Sequence, residues 1–322
     1  MKITANSLLW PEPLNPGDTV ALTAPSSPVS EKNLMTAIAS LKYLRLKPII
    51  MDSCRSHLGY LAGTDRQRAS DINDAFASED IKAVFCLRGG YGAMRILPLL
   101  DFDMIRNHPK LLIGYSDITA LHTAINSRCS FVTLHGPMPN TGYEQLDEFS
   151  INSMKRILFQ KKEQYIIKNP PGQQMKTLCP GCAEGLLTGG NLSLLAGTLG
   201  SPYEIDTHGK LLFIEEVDEI PYKLDRALTA LSLAGKFKDC SGIILGTFTN
   251  CMNSDHSTNG NTAAGDSTSQ IMDIIKEIVL PWEKPTLFNL RAGHIYPQCT
   301  LPLGAIVRIE LDRSRSPNIS VL

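Results

Sequence analysis

The sequence predicts an α/β protein with an N-terminal domain built on a parallel sheet and a smaller C-terminal α/β domain. Apolar runs of strand length alternate with segments of helical periodicity in the first part of the chain, and this alternation predicts a parallel sheet covered by helices on both faces. A polar segment rich in Lys, Gln, Pro and Gly interrupts the pattern, which resumes near Glu184. We therefore expect domains at residues 1–145 and 184–322, joined by a connector at 146–183.

The first region alternates strands with helices, and Ser30 and Thr64 are placed to cap two of those helices. The predicted strands lie at 19–25, from 48 onward, and at 81–87, 110–117 and 131–137, and a third helix follows at 118–125. Two polar turns, at 88–92 and 114–117, stand at strand ends. Parallel sheets carry their chemistry at the carboxyl ends of the strands, so we expect these turns to border the functional site.

The second region contains fewer predicted strands and helices than the first. We predict strands at 211–216, 242–248 and 305–311, and helices around 223–235 and 269–279. Residues 249–269 are dominated by Asn, Ser, Thr and Gly, so a mobile surface loop is expected there. Its composition leaves open whether it covers the site.

Composition narrows the possible partners. The chain has 322 residues, with 31 Lys and Arg against 32 Asp and Glu, and this lack of a basic excess argues against nucleic acid. The uncharged stretch 185–203 carries several glycines and Pro202, so no membrane segment is expected, and the N-terminus does not resemble a signal peptide. Eight scattered cysteines are interpreted as reduced thiols of a cytoplasmic protein. The pair Cys179 and Cys182 is interpreted as part of a loop rather than a zinc or redox site, so no metal is expected.

Ser116 lies between a buried predicted strand and a predicted helix, in the segment Gly114-Tyr115-Ser116-Asp117. A serine on such a turn can project its hydroxyl, with N–H groups at the helix start available to an oxyanion. An ordinary helix cap, by Ser116 or Asp117, is an equal alternative. Ile118 departs from the G-x-S-x-G pattern, so an ordinary α/β-hydrolase turn is disfavoured.

The turn RGGYG at 88–92 places glycines where a backbone can approach a ligand closely. A dinucleotide loop needs G-x-G-x-x-G, and Arg95 stands where the third glycine is required, so a nucleotide-binding oxidoreductase is disfavoured. A structural turn and a loop that lends an N–H group to an oxyanion both remain.

Two neighbouring acids and three histidines complete the candidates. Glu215 and Glu216 end an apolar strand, and His294 lies in a later loop. His122 is interpreted as a packing residue, whereas His135, at another strand end, stays a rival base. A nucleophile needs a base, and the base needs an orienting carboxylate. The chain order Ser, Glu, His is compatible with such a trio and does not prove it.

Seven segments form a joint pattern over nearly the whole chain: GDTVALTAPSSP, LRGGYGAMRILPLLD, IGYSDITALH, TLHGP, GGNLSLLAGTLGSPYEID, LFIEEVDEIPYKLDR and GHIYPQCTLPLGA. Together they resemble the LD-carboxypeptidase family, serine peptidases that include the microcin-immunity peptidases. The resemblance implies two α/β domains, the second of a swivelling type, with the active site in the groove between them.

The resemblance also implies the site residues. The triad would be Ser116, Glu215 and His294, with Glu216 as the second choice for the acid. The backbone N–H groups of Gly90 and Asp117 would receive the oxyanion. No metal or organic cofactor is implied.

The implied activity is release of the terminal D-alanine from murein tetrapeptides during cell-wall recycling, by a cytoplasmic homodimer. A microcin-immunity-type peptidase, acting on peptidyl-nucleotides or acylated amino acids, is the alternative within the family. A catalytically silent binder of cell-wall peptides is the alternative outside it. Arg88, Arg226 and Arg291 are candidates for binding the substrate carboxylate by charge alone, and the sequence does not rank them.

Overall fold

The computed structural model describes residues 8–161, 163–251 and 266–322. The strands are β1 (Thr19–Thr23), β2 (Lys47–Ile50), β3 (Ile81–Cys86), β4 (Leu111–Gly114), β5 (Thr133–His135), β6 (Tyr165–Ile167), β7 (Lys176–Cys179), β8 (Gly181–Asn191), β9 (Leu211–Val217), β10 (Gly242–Thr249), β11 (Thr286–Phe288), β12 (Leu301–Leu303), β13 (Ile306–Leu311) and β14 (Asn318–Val321). The helices are α1 (Glu31–Tyr43), α2 (Asp65–Ala77), α3 (Ala93–Ile96), α4 (Phe102–Asn107), α5 (Thr119–Cys129), α6 (Glu148–Phe159), α7 (Leu192–Gly197), α8 (Pro221–Leu233), α9 (Lys236–Asp239) and α10 (Asp266–Ile278).

The first sheet has the order β12–β5–β4–β3–β1–β2. All neighbouring pairs are parallel except β12 with β5. Its central strands β3 and β4 are buried almost throughout, which explains their continuous apolar sequence. The predicted caps are present, because the side chains of Ser30 and Thr64 accept hydrogen bonds from the N–H groups of Asn33 and Gln67.

The second sheet has the order β6–β14–β13–β8–β9–β10–β11–β7. Strands β8 to β11 are parallel, and the remaining pairs are antiparallel. The two sheets and their covering helices confirm the predicted α/β fold class. The predicted loop at 249–269 falls mainly on residues 252–265, which lie outside the described residues.

Regular structure crosses the predicted domain limits. Helix α6 and the edge strands β6 and β7 lie in the predicted connector at 146–183. Strand β12 lies in the predicted C-terminal range 184–322 and pairs with β5 of the first sheet. The limits themselves stay a prediction.

Three hydrophobic clusters hold these layers together. The largest contains side chains of both sheets, such as Leu22, Phe85, Leu211 and Ile309. The second packs α2, α4 and α5 against the first sheet, and the third packs α7, α8 and α10 against the second. In the described ranges, no helix combines the length and apolar character that a bilayer crossing needs.

Candidate active site

Strand β4 leads directly into the turn that carries Ser116. This residue has φ of 66°, in the left-handed region, and lies on a short 3₁₀ turn just before α5. A non-glycine residue in that conformation marks a strained turn, of the kind that projects a nucleophile from between a strand and a helix. Neither Ser116 nor Asp117 caps α5 through its side chain, so the capping alternative is not what the structure contains. The Ser116 hydroxyl makes no hydrogen bond with any described residue.

The glycine-rich turn after β3 lies against Ser116. A Cβ atom on Gly89 would stand 2.9 Å from Ser116 Oγ, so only glycine allows this approach. The next residue, Gly90, has φ of 110°, which L side chains rarely adopt. In the turns and loops of the described chain, neither the Gly90 N–H nor the Asp117 N–H donates a hydrogen bond. Both predicted donors are therefore without an acceptor beside the serine.

The Asp117 side chain ties the surrounding loops to the serine turn. Its Oδ2 atom accepts hydrogen bonds from Ser26 Oγ at 2.6 Å and from the Ala93 N–H at 2.8 Å. Burial raises the pKa of this carboxyl above its usual range. The fully buried Arg68 joins the same loops, because its Nη1 donates to the carbonyl oxygens of Pro25 and, at 2.9 Å, of Gly92.

Sequence analysis did not find these two side-chain roles. The sequence predicts Asp117 as an oxyanion donor through its N–H group or as a helix cap, and not as a hydrogen-bond partner of distant loops. Arg68 stands four residues before Ile72 and is buried on α2 together with Ala69, Ile72 and Phe76. A charged residue on a buried face was the available signal, because an arginine is rarely buried unless it is paired.

Glu215, on β9, and His294, in the segment after β11, lie beside each other in the second sheet region. His294 Nδ1 donates to Glu215 Oε2 over 2.8 Å, and the Glu215 side chain is completely buried. Gly293 makes this contact possible, because a Cβ there would lie 2.5 Å from Glu215 Oε2 and 2.9 Å from its Cβ. With Nδ1 engaged, the imidazole has Nε2 available for other chemistry.

The imidazole of His294 also reaches the serine turn. Its ring centroid lies 4.8 Å from that of Tyr115, the residue preceding Ser116. No hydrogen bond joins Ser116 Oγ to His294 among the described residues. The structure thus brings the three predicted triad residues to one place and links two of them directly.

Glu216 faces the other side of β9, because consecutive strand residues alternate faces. Its carboxylate accepts hydrogen bonds from Asn191 Nδ2 at 2.6 Å and from the N–H and Oγ of Ser193 at 2.8 and 2.6 Å. Burial raises its pKa. This acid stabilises the beginning of α7 and does not contact His294.

The two other candidate histidines are fully buried. His122 Nε2 donates to the Gly114 carbonyl at 2.9 Å, and burial lowers the His122 pKa to about 4. The ring of His135 packs 5.1 Å from Phe213 and 5.8 Å from Tyr115, centroid to centroid, and burial lowers its pKa well below the ordinary value. Both side chains are therefore neutral packing groups in this geometry.

Other features of the described chain lie outside this group of residues. Among the described residues, no three His, Cys, Asp or Glu side chains are grouped as a metal ion requires. A cavity of about 410 Å³ opens between α6, β6 and the residues before β12, and none of the predicted site residues lines it.

Comparison with known proteins gives consistent matches. Family models described as the LD-carboxypeptidase N-terminal and C-terminal domains match residues 20–136 and 184–309. A probable murein peptide carboxypeptidase of Bacillus subtilis is 40% identical over 297 residues, which cover 92% of this chain and 89% of that protein. The murein tetrapeptide carboxypeptidase of Pseudomonas aeruginosa is 30% identical over 311 residues, covering 92% and 94%. An MccF-like protein from Bacillus anthracis has a TM-score of 0.85 at 25% identity, covering 98% of this chain and 99% of its own.

These matches agree with the geometry. The two family models cover well over half of the chain, and the matched ranges contain all five residues that the resemblance implied for the site. The likeness to this solved structure confirms the fold class. The chain belongs to the LD-carboxypeptidase family.

Proposed function

We propose that this protein is a serine LD-carboxypeptidase that releases the terminal D-alanine from murein tetrapeptides. The observation that carries the proposal is the Glu215–His294 hydrogen bond beside the strained Ser116 turn. Family membership and the names of the two curated relatives support the choice of murein peptides as substrate.

In the proposed mechanism, His294 accepts the proton of Ser116 as Oγ attacks the carbonyl carbon of the residue before D-alanine. Glu215 holds the imidazole in the tautomer with the proton on Nδ1 and stabilises the imidazolium that forms. The N–H groups of Gly90 and Asp117 receive the developing oxyanion, and loss of one such donor would raise the barrier by about 3 kcal/mol. His294 then protonates the leaving D-alanine, and water releases the shortened peptide from Ser116.

Substrate binding closes the remaining gap between Ser116 and His294. Catalytic hydrogen bonds are commonly long in unliganded enzymes and shorten in the substrate complex. Ser116 follows β4 of the first sheet and His294 follows β11 of the second, so a movement between the sheets would change the distance between the two side chains.

Mass spectrometry of a tetrapeptide digest tests this proposal. Wild-type protein should release D-alanine, whereas Ser116→Ala, His294→Ala and Glu215→Ala should each lose activity on the order of 10³-fold or more. Glu216→Ala should keep the reaction, because this acid does not contact the imidazole. Binding of tetrapeptide without any release by the wild type would instead identify a silent binder.

We further propose a cytoplasmic homodimer. The eight free thiols fit a reducing compartment, and the family resemblance favours the dimer. Sedimentation equilibrium that gives a single-chain mass at micromolar concentration would contradict the dimer.

A peptidase of the microcin-immunity type is the second candidate, supported by the likeness to the MccF-like structure. The two candidates differ in the leaving group. Faster turnover of a peptidyl-nucleotide than of a murein tetrapeptide would favour the second.

A further inference from the structure

Arg88 begins the glycine-rich turn and carries a charge that no described acid neutralises. Its side chain is half-buried, and its one hydrogen bond is a long one, from Nη1 to the Pro28 carbonyl at 3.4 Å. Within the described ranges no carboxylate lies within 4.0 Å of its guanidinium. A guanidinium has five N–H donors in a planar fork, so most of its binding capacity is unused.

The other two candidate arginines are differently placed. The guanidinium of Arg291 donates to the carbonyl oxygens of Tyr296 at 2.7 Å and Pro297 at 3.2 Å, and so it holds the loop that carries His294. Arg226 lies over the exposed ring of Tyr222, on α8. Neither offers an unused guanidinium beside the serine turn.

The position of Arg88 fits the end of a peptide. Its Nη2 atom lies 3.6 Å from where a Cβ on Gly90 would stand, beside the turn proposed to bind the oxyanion. In a carboxypeptidase substrate, one peptide bond separates the reacting carbonyl carbon from the terminal carboxylate. The two carbons are therefore within about 4 Å of each other. A cation that binds this carboxylate must accordingly flank the oxyanion turn, as Arg88 does.

We propose that Arg88 binds the free α-carboxylate of the residue that is released, and thereby restricts the enzyme to the chain end. The inference rests on the proposed function and specifies the substrate class as peptides with an unmodified C-terminal carboxylate. Planar guanidinium and carboxylate groups form two parallel charge-assisted hydrogen bonds, which discriminate strongly against a neutral amide. The ammonium group of lysine is a compact point charge without this planar fork, so it cannot form the same pair.

Kinetics with a matched pair of substrates tests the role of Arg88. One tetrapeptide ends in D-alanine and the other in D-alaninamide, with the remaining residues identical. Wild-type kcat/KM should be on the order of 100-fold higher for the acid than for the amide, as expected for charge-assisted hydrogen bonds. Arg88→Gln should lower the value for the acid far more than the value for the amide, so that the acid-to-amide ratio falls close to 1. Arg88→Lys should recover part of the preference.

Arg226→Gln is the matched control, because it removes one arginine charge outside the serine turn. It should leave the acid-to-amide ratio at the wild-type value. An unchanged ratio in Arg88→Gln, or an equal loss on both substrates, would overturn the inference while the peptidase activity itself stood.

Calorimetry with a variant that lacks the Ser116 hydroxyl measures carboxylate binding without catalysis. In the Ser116→Ala background, the acid should bind on the order of 100-fold more tightly than the amide, and adding Arg88→Gln should abolish the difference. If the wild type hydrolyses neither peptide but this binding preference appears, the proposed function fails and the carboxylate site stands. Equal binding of acid and amide by Ser116→Ala would refute the carboxylate site.

Discussion

At the scale of single residues, Glu215 and Glu216 show how one strand gives two neighbouring acids different tasks. Both are buried on β9, yet one contacts His294 and the other binds the beginning of α7. The sequence favoured Glu215 only through the family resemblance. The alternation of side chains along a strand is regular, but which face meets the histidine depends on the packing of the whole sheet.

Replacing each acid by its amide should separate these tasks. Glu215→Gln should lower kcat on the order of 10⁴-fold, because the amide no longer fixes the reactive tautomer of His294. Glu216→Gln should keep kcat close to the wild type and lower the free energy of unfolding by about 1–3 kcal/mol, because buried donors lose a charged acceptor. Steady-state assays and urea titrations measure the two effects. A large loss of kcat in Glu216→Gln alone would reverse the assignment.

Two features require glycine at position 293. Its φ of 110° is rarely adopted by L side chains, and a Cβ there would collide with Glu215. Gly293→Ala should lower kcat at least 10-fold, because the new methyl group would push the Glu215 carboxylate away from His294, and a misplacement of 1 Å can lower rates by about 100-fold. Gly17→Ala is a matched control, since Gly17 has a similar φ of 98° against 110° but nothing within 4 Å of the new Cβ. Both variants should lose stability, and only Gly293→Ala should lose activity. Equal activities would show that Glu215 does not need this position.

The hydrogen-bond partners of two site side chains, Asp117 and Arg68, could not be predicted from the sequence. Ser116, Glu215 and His294 belong to segments of the sequence pattern that resembles the family. Asp117 and Arg68, in contrast, act through hydrogen bonds to loops that are distant in sequence. No local pattern specifies such partners, because they are set by how the strands stack.

At the scale of elements, the central strands and the capped helices were predictable because their signals are local. Strand β12 was not, because it has three residues and contains Pro302, which a sequence pattern assigns to a turn. The structure accommodates this proline because β12 is an edge strand.

The packing of α5 against β5 predicts a pH dependence of stability. His122 and His135, with ring centroids 6.4 Å apart, are buried in the neutral form, and their pKa values in the folded protein lie below the ordinary 6.5. The unfolded chain therefore binds protons that the folded chain does not. The contribution of these two neutral histidines to the free energy of unfolding should be fully present above pH 6.5. It should be lost as the pH decreases toward 4, by up to about 1.4 kcal/mol per pH unit for each histidine.

His135→Phe should remove one histidine's share of this slope. Urea unfolding at several pH values between 6.5 and 4 measures it, and the exposed His208→Gln serves as control and should leave the slope unchanged. A wild-type slope in His135→Phe would mean that His135 is protonated in the folded protein.

At the scale of the whole molecule, the two sheets share one hydrophobic cluster, and β12 returns from the second region to the first sheet. Separate unfolding of two domains would have to break both links. We therefore predict a single cooperative transition.

The two tryptophans offer a direct test. Trp10 packs on the shared cluster, and Trp282 packs on the cluster of the second sheet alone. Single-tryptophan variants, Trp10→Phe and Trp282→Phe, should each show the same urea midpoint by fluorescence and by far-UV circular dichroism. Two separate midpoints in either variant would indicate domains that unfold independently.

The late position of β12 in the chain has a consequence for biosynthesis. While the polypeptide is emerging from the ribosome, β5 keeps an unpaired edge until residue 303 has been made, and an open sheet edge invites association with other nascent chains. His294 is also translated more than 170 residues after Ser116. A ribosome-bound fragment that stops before residue 294 would therefore hold the serine turn without the proposed base.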